Sequence, residues 1–360
     1  MKKVLVAVMA LSLMAGVASC NKDDDEPKPI HDNECTEYAE NLGEGLYQPK
    51  LHVSTVTENG ANVSTFTWEG NTLKSMTQEG SNVTLAYTNE GRLKSGTYQG
   101  NTYSYIYSGN EVKSVRLTGL LGLMAHIDVI HKDGHISQLS YDSLNIMYIT
   151  QLAGEYLNFG LKDSRKFSLG DFSMNETFVW EGDNVSKHNM EGITTIGVAP
   201  SEVNTIVNIE ELVYAYLEAN YPSIANNSTM SGLIDILIQT IVTDEREMLV
   251  DLNIVVEENY SYDTKRNYLQ YFWPMGILPN NLSANNMTNM KQVVTMNATA
   301  HYELPGTLGA LASIIGMSTL NIPFSKEISR TSDNYSYEYN HFNFPIKVKS
   351  DNGEMKINYK

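Results

Sequence analysis

From Phe66 to Leu117, apolar and polar residues alternate in short runs punctuated by glycine, and the pattern as a whole recurs about every twenty residues. Phe66-Thr-Trp-Glu-Gly-Asn-Thr-Leu-Lys-Ser75, Leu85-Ala-Tyr-Thr-Asn-Glu-Gly-Arg-Leu-Lys-Ser95 and Tyr105-Ile-Tyr-Ser-Gly-Asn-Glu-Val-Lys-Ser114 share one order: aromatic, polar, Gly, polar, aliphatic, Lys, Ser. A period of two places one face in a core and the other in water. Such a repeat holds two strands and their turns, so the unit is a β-hairpin. Gly60, Gly70, Gly80, Gly91, Gly100 and Gly109 stand beside Asn, Glu, Gln or Ser, as turns needing positive φ require. Trp68, Tyr87, Tyr107 and Trp180 occupy the same place before the turn glycine. A shared packing role explains all four better than a sugar platform at Trp68 alone.

Alternation continues from Met124 to Ile130 and from Ile136 to Tyr141, and the repeat returns in degenerate form at Phe178-Val-Trp-Glu-Gly-Asp-Asn-Val-Ser186. The period then changes. Asn208-Ile-Glu-Glu211 has capping-box spacing, Ile209, Leu212, Val213, Tyr216 and Leu217 fall on one helical face, and Pro222 closes the helix. Leu233 to Val242 reads as a second, buried helix or a core strand. Met248, Val250, Leu252, Ile254 and Val256 alternate as a strand, residues 277–300 read as loop with one strand near Val293, and Tyr335 to Tyr359 restores β character. The expected fold is mainly β: a large curled antiparallel meander, open or a half barrel, with a helical insertion at about 205–245 on its apolar face. Strands of about six to eight residues fall short of the ~9–11 that span a bilayer, which disfavours a membrane barrel.

The amino terminus supplies an address. Lys2 and Lys3 precede a mostly apolar run from Val4 to Val17, then Ala18-Ser19-Cys20. The run is too short for a bilayer-crossing helix and reads as a secretory signal over residues 1–19. Residues 20–44 follow as an acidic tether and residues 45–360 as the β domain. Loss of residues 1–19 removes two of the 25 basic residues and none of the 42 acids, leaving a formal charge of −19. That charge argues against a nucleic-acid partner. Cys35 is then the only cysteine besides Cys20, so an intramolecular disulfide framework is excluded.

The residues around Cys20 resemble the lipobox of bacterial lipoproteins, in which the cysteine is acylated. Lys22, Asp23, Asp24, Asp25 and Glu26 resemble the export signal of surface lipoproteins of the Bacteroidota. Tyr260-Ser-Tyr-Asp-Thr-Lys-Arg-Asn267 and Tyr335-Ser-Tyr-Glu-Tyr-Asn340, with Pro345 following, resemble elements of a Bacteroidota lipoprotein family of unknown function with a porin-like fold. The early hairpins are similar to tyrosine-aspartate repeats of secreted bacterial proteins. The resemblance implies an outer-membrane lipoprotein facing the cell exterior; it brings no catalytic residues and no cofactor.

Candidate chemistry is sparse. His126, His131 and His135, with Asp128 and Asp133, form the one metal-like cluster, although a polar hairpin tip explains the same residues. No Gly-x-Ser-x-Gly elbow or phosphate-cradling loop is present, which points away from an enzyme. Two readings stand. The first is a binding or structural surface protein, with Tyr268, Tyr271, Phe272 and Trp273 as a candidate glycan platform, and a glycan or another envelope protein as partner. The second is a carrier of an apolar ligand between sheet and helices, in a cavity lined by Leu233, Ile236, Leu237 and Ile241.

Overall fold

The computed structural model describes residues 52–359 apart from 59–60, 71, 79–80, 99, 120–121, 143–166, 205–206, 269–278, 307–308, 311–318 and 352. Cys20 and the acidic tether therefore lie outside the described residues, as do Tyr271, Phe272 and Trp273. The first nine strands are β1 (Val53–Glu58), β2 (Ala61–Glu69), β3 (Thr72–Gln78), β4 (Ser81–Tyr87), β5 (Leu93–Tyr98), β6 (Asn101–Ser108), β7 (Glu111–Gly119), β8 (Gly122–Lys132) and β9 (His135–Asp142). Five longer ones follow: β10 (Phe167–Glu181), β11 (Asn184–Val198), β12 (Met248–Arg266), β13 (Asn285–Glu303) and β14 (Thr319–Tyr339). β15 (Pro345–Ser350) and β16 (Gly353–Tyr359) end the chain. Each strand pairs antiparallel with its neighbours in sequence, and β16 pairs with β1, so the sheet is a closed barrel. This corrects the expectation of an open or half barrel. Strands 304 residues apart meet where Ser54 Oγ donates to Asn358 O at 3.1 Å.

The repeat explains the closure. In each of the first hairpins the ladder slips by one residue beside the aromatic: Thr67 faces Ser75 but Trp68 faces Leu73, Ala86 faces Ser95 but Tyr87 faces Leu93, and Ile106 faces Ser114 but Tyr107 faces Val112. The extra residue is Lys74, Lys94 or Lys113, the lysine of the repeat. A β-bulge there bends and twists the strand, and one bulge per hairpin curls the meander steadily. Gly91 at φ +79° and Gly109 at φ +62° turn the chain where an L side chain would be strained.

The aromatic then ties its strand to the one before. Trp68 Nε1 donates to Val53 O, Tyr87 Oη to Leu73 O and Tyr107 Oη to Leu93 O, at 2.8, 2.7 and 2.9 Å. Trp180 Nε1 to Ile136 O, Tyr262 Oη to Val185 O, Tyr337 Oη to Met287 O and Tyr359 Oη to Pro345 O repeat the bond at 2.6 to 2.8 Å. Every donor lies near the end of an even-numbered strand and every acceptor near the start of the preceding odd-numbered strand, so the bonds ring one end of the barrel. Burial raises the Tyr87 and Tyr107 hydroxyls to about 12, which keeps both protonated as donors.

β10 to β14 are 15 to 21 residues long and run past the short strands. Among the described residues, β9 pairs with β10 only at Met174–Thr177 and β15 with β14 only at Tyr335–Tyr339. Four helices lie between β11 and β12: α1 (Pro200–Val203), α2 (Ile209–Asn220), α3 (Pro222–Ala225) and α4 (Ser231–Val242). Asn208 caps α2 by accepting from Glu211 N at 3.4 Å, as the capping box predicts. Val213 and Leu217 of α2 and Ile234, Ile238 and Ile241 of α4 join Val250, Leu252, Ala298, Ala300 and Ile322 in one apolar cluster. The helices thus cover the inner face of the strand extensions. A last turn, α5 (Pro279–Leu282), precedes β13. Residues 285–303, expected as mostly loop, form this 19-residue strand; its Asn and Thr alternate on the outer face, and sequence composition hid the period.

The lengths of β10 to β14 remove the argument that these strands are too short to span a membrane. The outer face supplies a stronger one. Along β12, Met248, Val250, Leu252 and Val256 are buried inside, while Asp251, Glu257, Asn259 and Ser261 are exposed outside. On β13 the outward positions include Lys291, Asn297, His301 and Glu303. Spanning barrels carry an apolar band outside, whereas the outward positions of β12 and β13 are mostly polar, Leu249, Val255 and Val293 apart.

Tyr107→Phe keeps the ring but leaves the Leu93 carbonyl without its donor, and is expected to cost about 1–3 kcal/mol. Leu93→Ala, at a fully buried position, is expected to cost about 2–5 kcal/mol. Urea unfolding measures both. A Tyr107→Phe chain as stable as wild type would show that closure does not depend on these bonds.

Candidate functional site

Three residues that alternation assigns to the barrel interior are charged or titratable. Glu176 sits between Met174 and Phe178 on β10, His188 precedes Met190 on β11, and Glu258 follows Val256 on β12. All three are at most 5 % exposed. Register places His188 directly opposite both Phe178 and Glu258, and Glu258 opposite Gln292 of β13. His188 Nε2 lies 2.8 Å from Glu176 Oε2 and its Nδ1 2.9 Å from Glu258 Oε2. Carboxylates on both nitrogens require a hydrogen on each, so the ring is an imidazolium.

Burial alone would pull the His188 pKa down, but the hydrogen bonds and charges of Glu176 and Glu258 together outweigh it and push it up to about 9. Burial likewise opposes ionisation of Glu258, which is nonetheless held below its ordinary range by His188 first, then by Tyr260 and Gln292. The remaining carboxylate oxygens are occupied. Tyr141 donates to Glu176 Oε1, Tyr260 to Glu258 Oε2, and Gln292 Nε2 to Glu258 Oε1 at 2.6 Å. Phe178 stacks on the imidazolium, 4.7 Å between centroids. Each carboxylate oxygen has a donor and no hydroxyl or thiol is aligned with a free base. The arrangement holds a proton in place and links β9 through β13.

The candidate histidine cluster is dispersed. His131 takes the place of the tyrosine in the ring of end bonds: its Nε2 is 2.9 Å from Val112 O, an acceptor only, so that nitrogen carries the hydrogen. His135 stacks on Trp180 at 4.2 Å, much as Arg92 covers Tyr107 at 5.8 Å. His126 is five residues from His131 along the same strand, about 16 Å at strand rise, too far to share a metal. Among the described residues no group of three or more His, Cys, Asp or Glu could hold a metal ion.

Tyr268 is 4 % exposed within the core cluster of the barrel, and the other three residues of the candidate platform lie outside the described residues. The proposed apolar lining also separates: Ile241 is 1 % exposed against the sheet, whereas Leu233 and Ile236 face solvent. The Tyr-x-Tyr-Asp elements serve a register shift in β12 and the turn after β14. Asp263 Oδ1 accepts from Lys265 N at 2.8 Å and Asn286 N at 3.2 Å, and its Oδ2 accepts from Tyr339 Oη. Asn340 Oδ1 accepts from Phe342 N and Phe344 N, each at 3.0 Å.

Sequence reasoning missed the Glu176–His188–Glu258 cluster. The available signal was a charged residue in the apolar register of three strands; what it lacked was the pairing of segments 70 residues apart. Compared with known proteins, the chain matches no family model and no curated protein. The closed, even-stranded meander agrees with porin-like barrels at the level of topology.

His188→Ala would leave two buried carboxylates without their cation, and is expected to cost about 3–5 kcal/mol. Because its pKa is raised, His188 stabilises the fold fully below its ordinary 6.5 and progressively less as pH rises toward about 9. Glu258, with its pKa lowered, contributes fully above its ordinary 4.5 and less in acid. The urea midpoint is expected to decline from pH 6.5 to 9 in wild type and to lose that slope in His188→Gln. An unchanged slope would remove the imidazolium from the account.

Proposed function

We propose that this chain is a non-catalytic lipoprotein, anchored to the outer membrane through Cys20 and exported by Lys22, Asp23, Asp24, Asp25 and Glu26 to the cell exterior, where its barrel binds a glycan or another envelope protein. The observation that carries the reading is the polarity of the barrel. Outward charges such as Asp251, Glu257 and Lys291 make insertion unfavourable, since a single outward Lys or Arg costs about 2–4 kcal/mol at the bilayer midplane. A barrel with this outer face stands in water, and an acylated cysteine supplies the membrane attachment that the strands do not.

In cells expressing the full chain, wild type is expected in the detergent-extractable membrane fraction and Cys20→Ala in the soluble fraction with its barrel folded. A folded Cys20→Ala chain that stays in the membrane would overturn the reading. Replacing Asp23, Asp24, Asp25 and Glu26 by alanine is expected to leave the chain membrane-bound but shielded from protease added to whole cells.

A further inference from the structure

The helical cover has a second face that packing inside the barrel does not use. α4 turns Ile234, Ile238 and Ile241 toward the sheet, while Leu233 and Ile236 on its other side are 50 % and 54 % exposed. Half-buried Met230 and Leu237 extend the pair at helical spacing into an apolar stripe. The remaining large exposed aliphatics among the described residues, from Ile106 to Ile328, sit singly on six different strands.

Charge around the stripe is one-sided. Residues 199–247 contain eight acids and a single base, Arg246, whose guanidinium is engaged by Asp244 at 2.6 and 2.9 Å. Asp235 adjoins Ile236 on α4 and accepts from Tyr214 Oη of α2 at 2.8 Å. Glu210 of α2 acts on the same tyrosine, so both carboxylates belong to the surface beside the stripe. Aliphatic side chains bordered by the Asp235 and Glu210 carboxylates match a partner that is apolar along one line and cationic on its flanks. The same charge repels an anionic lipid surface and a second copy of this face.

We propose that the outer face of α4 is the docking surface for a basic amphipathic segment of a protein partner, which covers Leu233 and Ile236 and pairs with Asp235 and Glu210. This rests on the reading of the chain as a binding protein and names the partner's chemistry.

The test is fluorescence anisotropy of the full chain with a labelled amphipathic Lys/Leu peptide of about 18 residues, five helical turns, against a Glu/Leu peptide of the same pattern. The Lys/Leu peptide is expected to bind and the Glu/Leu peptide to fail. Leu233→Ser with Ile236→Ser, both at solvent-facing positions, and separately Asp235→Lys, are each expected to weaken binding at least about tenfold. Absence of Lys/Leu binding overturns the proposal, as does binding that the double variant leaves unchanged, which would mark general attraction to an acidic chain. Self-association in sedimentation that the double variant abolishes would assign the stripe to a second copy and overturn it equally. None of these outcomes bears on the Cys20 fractionation, so the two readings fail separately.

Discussion

Closure of the sheet depends on what happens where each hairpin turns at one end of the barrel. There a bulge adds curvature, and an aromatic side chain spends its one polar atom on the carbonyl of the strand before it. The bond extends the ladder with the preceding strand beyond its last paired residues, Ser75 with Thr84 and Ser95 with Ser104. Among the described residues eight such donors serve sixteen strands, with His131 standing in where tyrosine or tryptophan stands elsewhere. The histidine is informative because it keeps only what the position needs: a flat ring and an N–H.

Once closed, the barrel has an inside that must be filled and an outside that meets water. Apolar residues of both halves meet in a core near the bonded end, and the helices fill the inner face at the other. Between them lies the Glu176–His188–Glu258 cluster. A buried ionic group is weak evidence for stability, since an apolar core of the same shape is often as good. Its consequence here is specificity: a one-residue slip of β11 against β12 would strand His188 outside and two carboxylates inside. The cluster therefore holds the register of the long strands, where the repeat is degenerate.

The helical segment has a double character for the same reason. Its inner residues complete the core, and Leu233 and Ile236 on its outer side are exposed. A surface both apolar and acidic serves association more readily than solubility.

Much of the local structure was legible in the residues themselves. Alternation, turn glycines and the capping box at Asn208 are short-range signals, because backbone geometry makes side-chain direction periodic and local hydrogen bonds set the ends. Those signals specified the hairpins, α2 and the apolar interior of β12. Whether the meander closed was undetermined, because Val53 and Tyr359 meet only through the summed curvature of every hairpin between them. The role of His131 was hidden too, since its partner is a backbone carbonyl with no sequence signature. Neither could the charged cluster be read, for Glu258 in an apolar register becomes intelligible only once β11 lies beside β12. The sequence by itself determined the period, the turns and the polarity of each strand; tertiary structure decided closure, register and which polar groups share a buried space, because those depend on contacts between residues far apart in the chain.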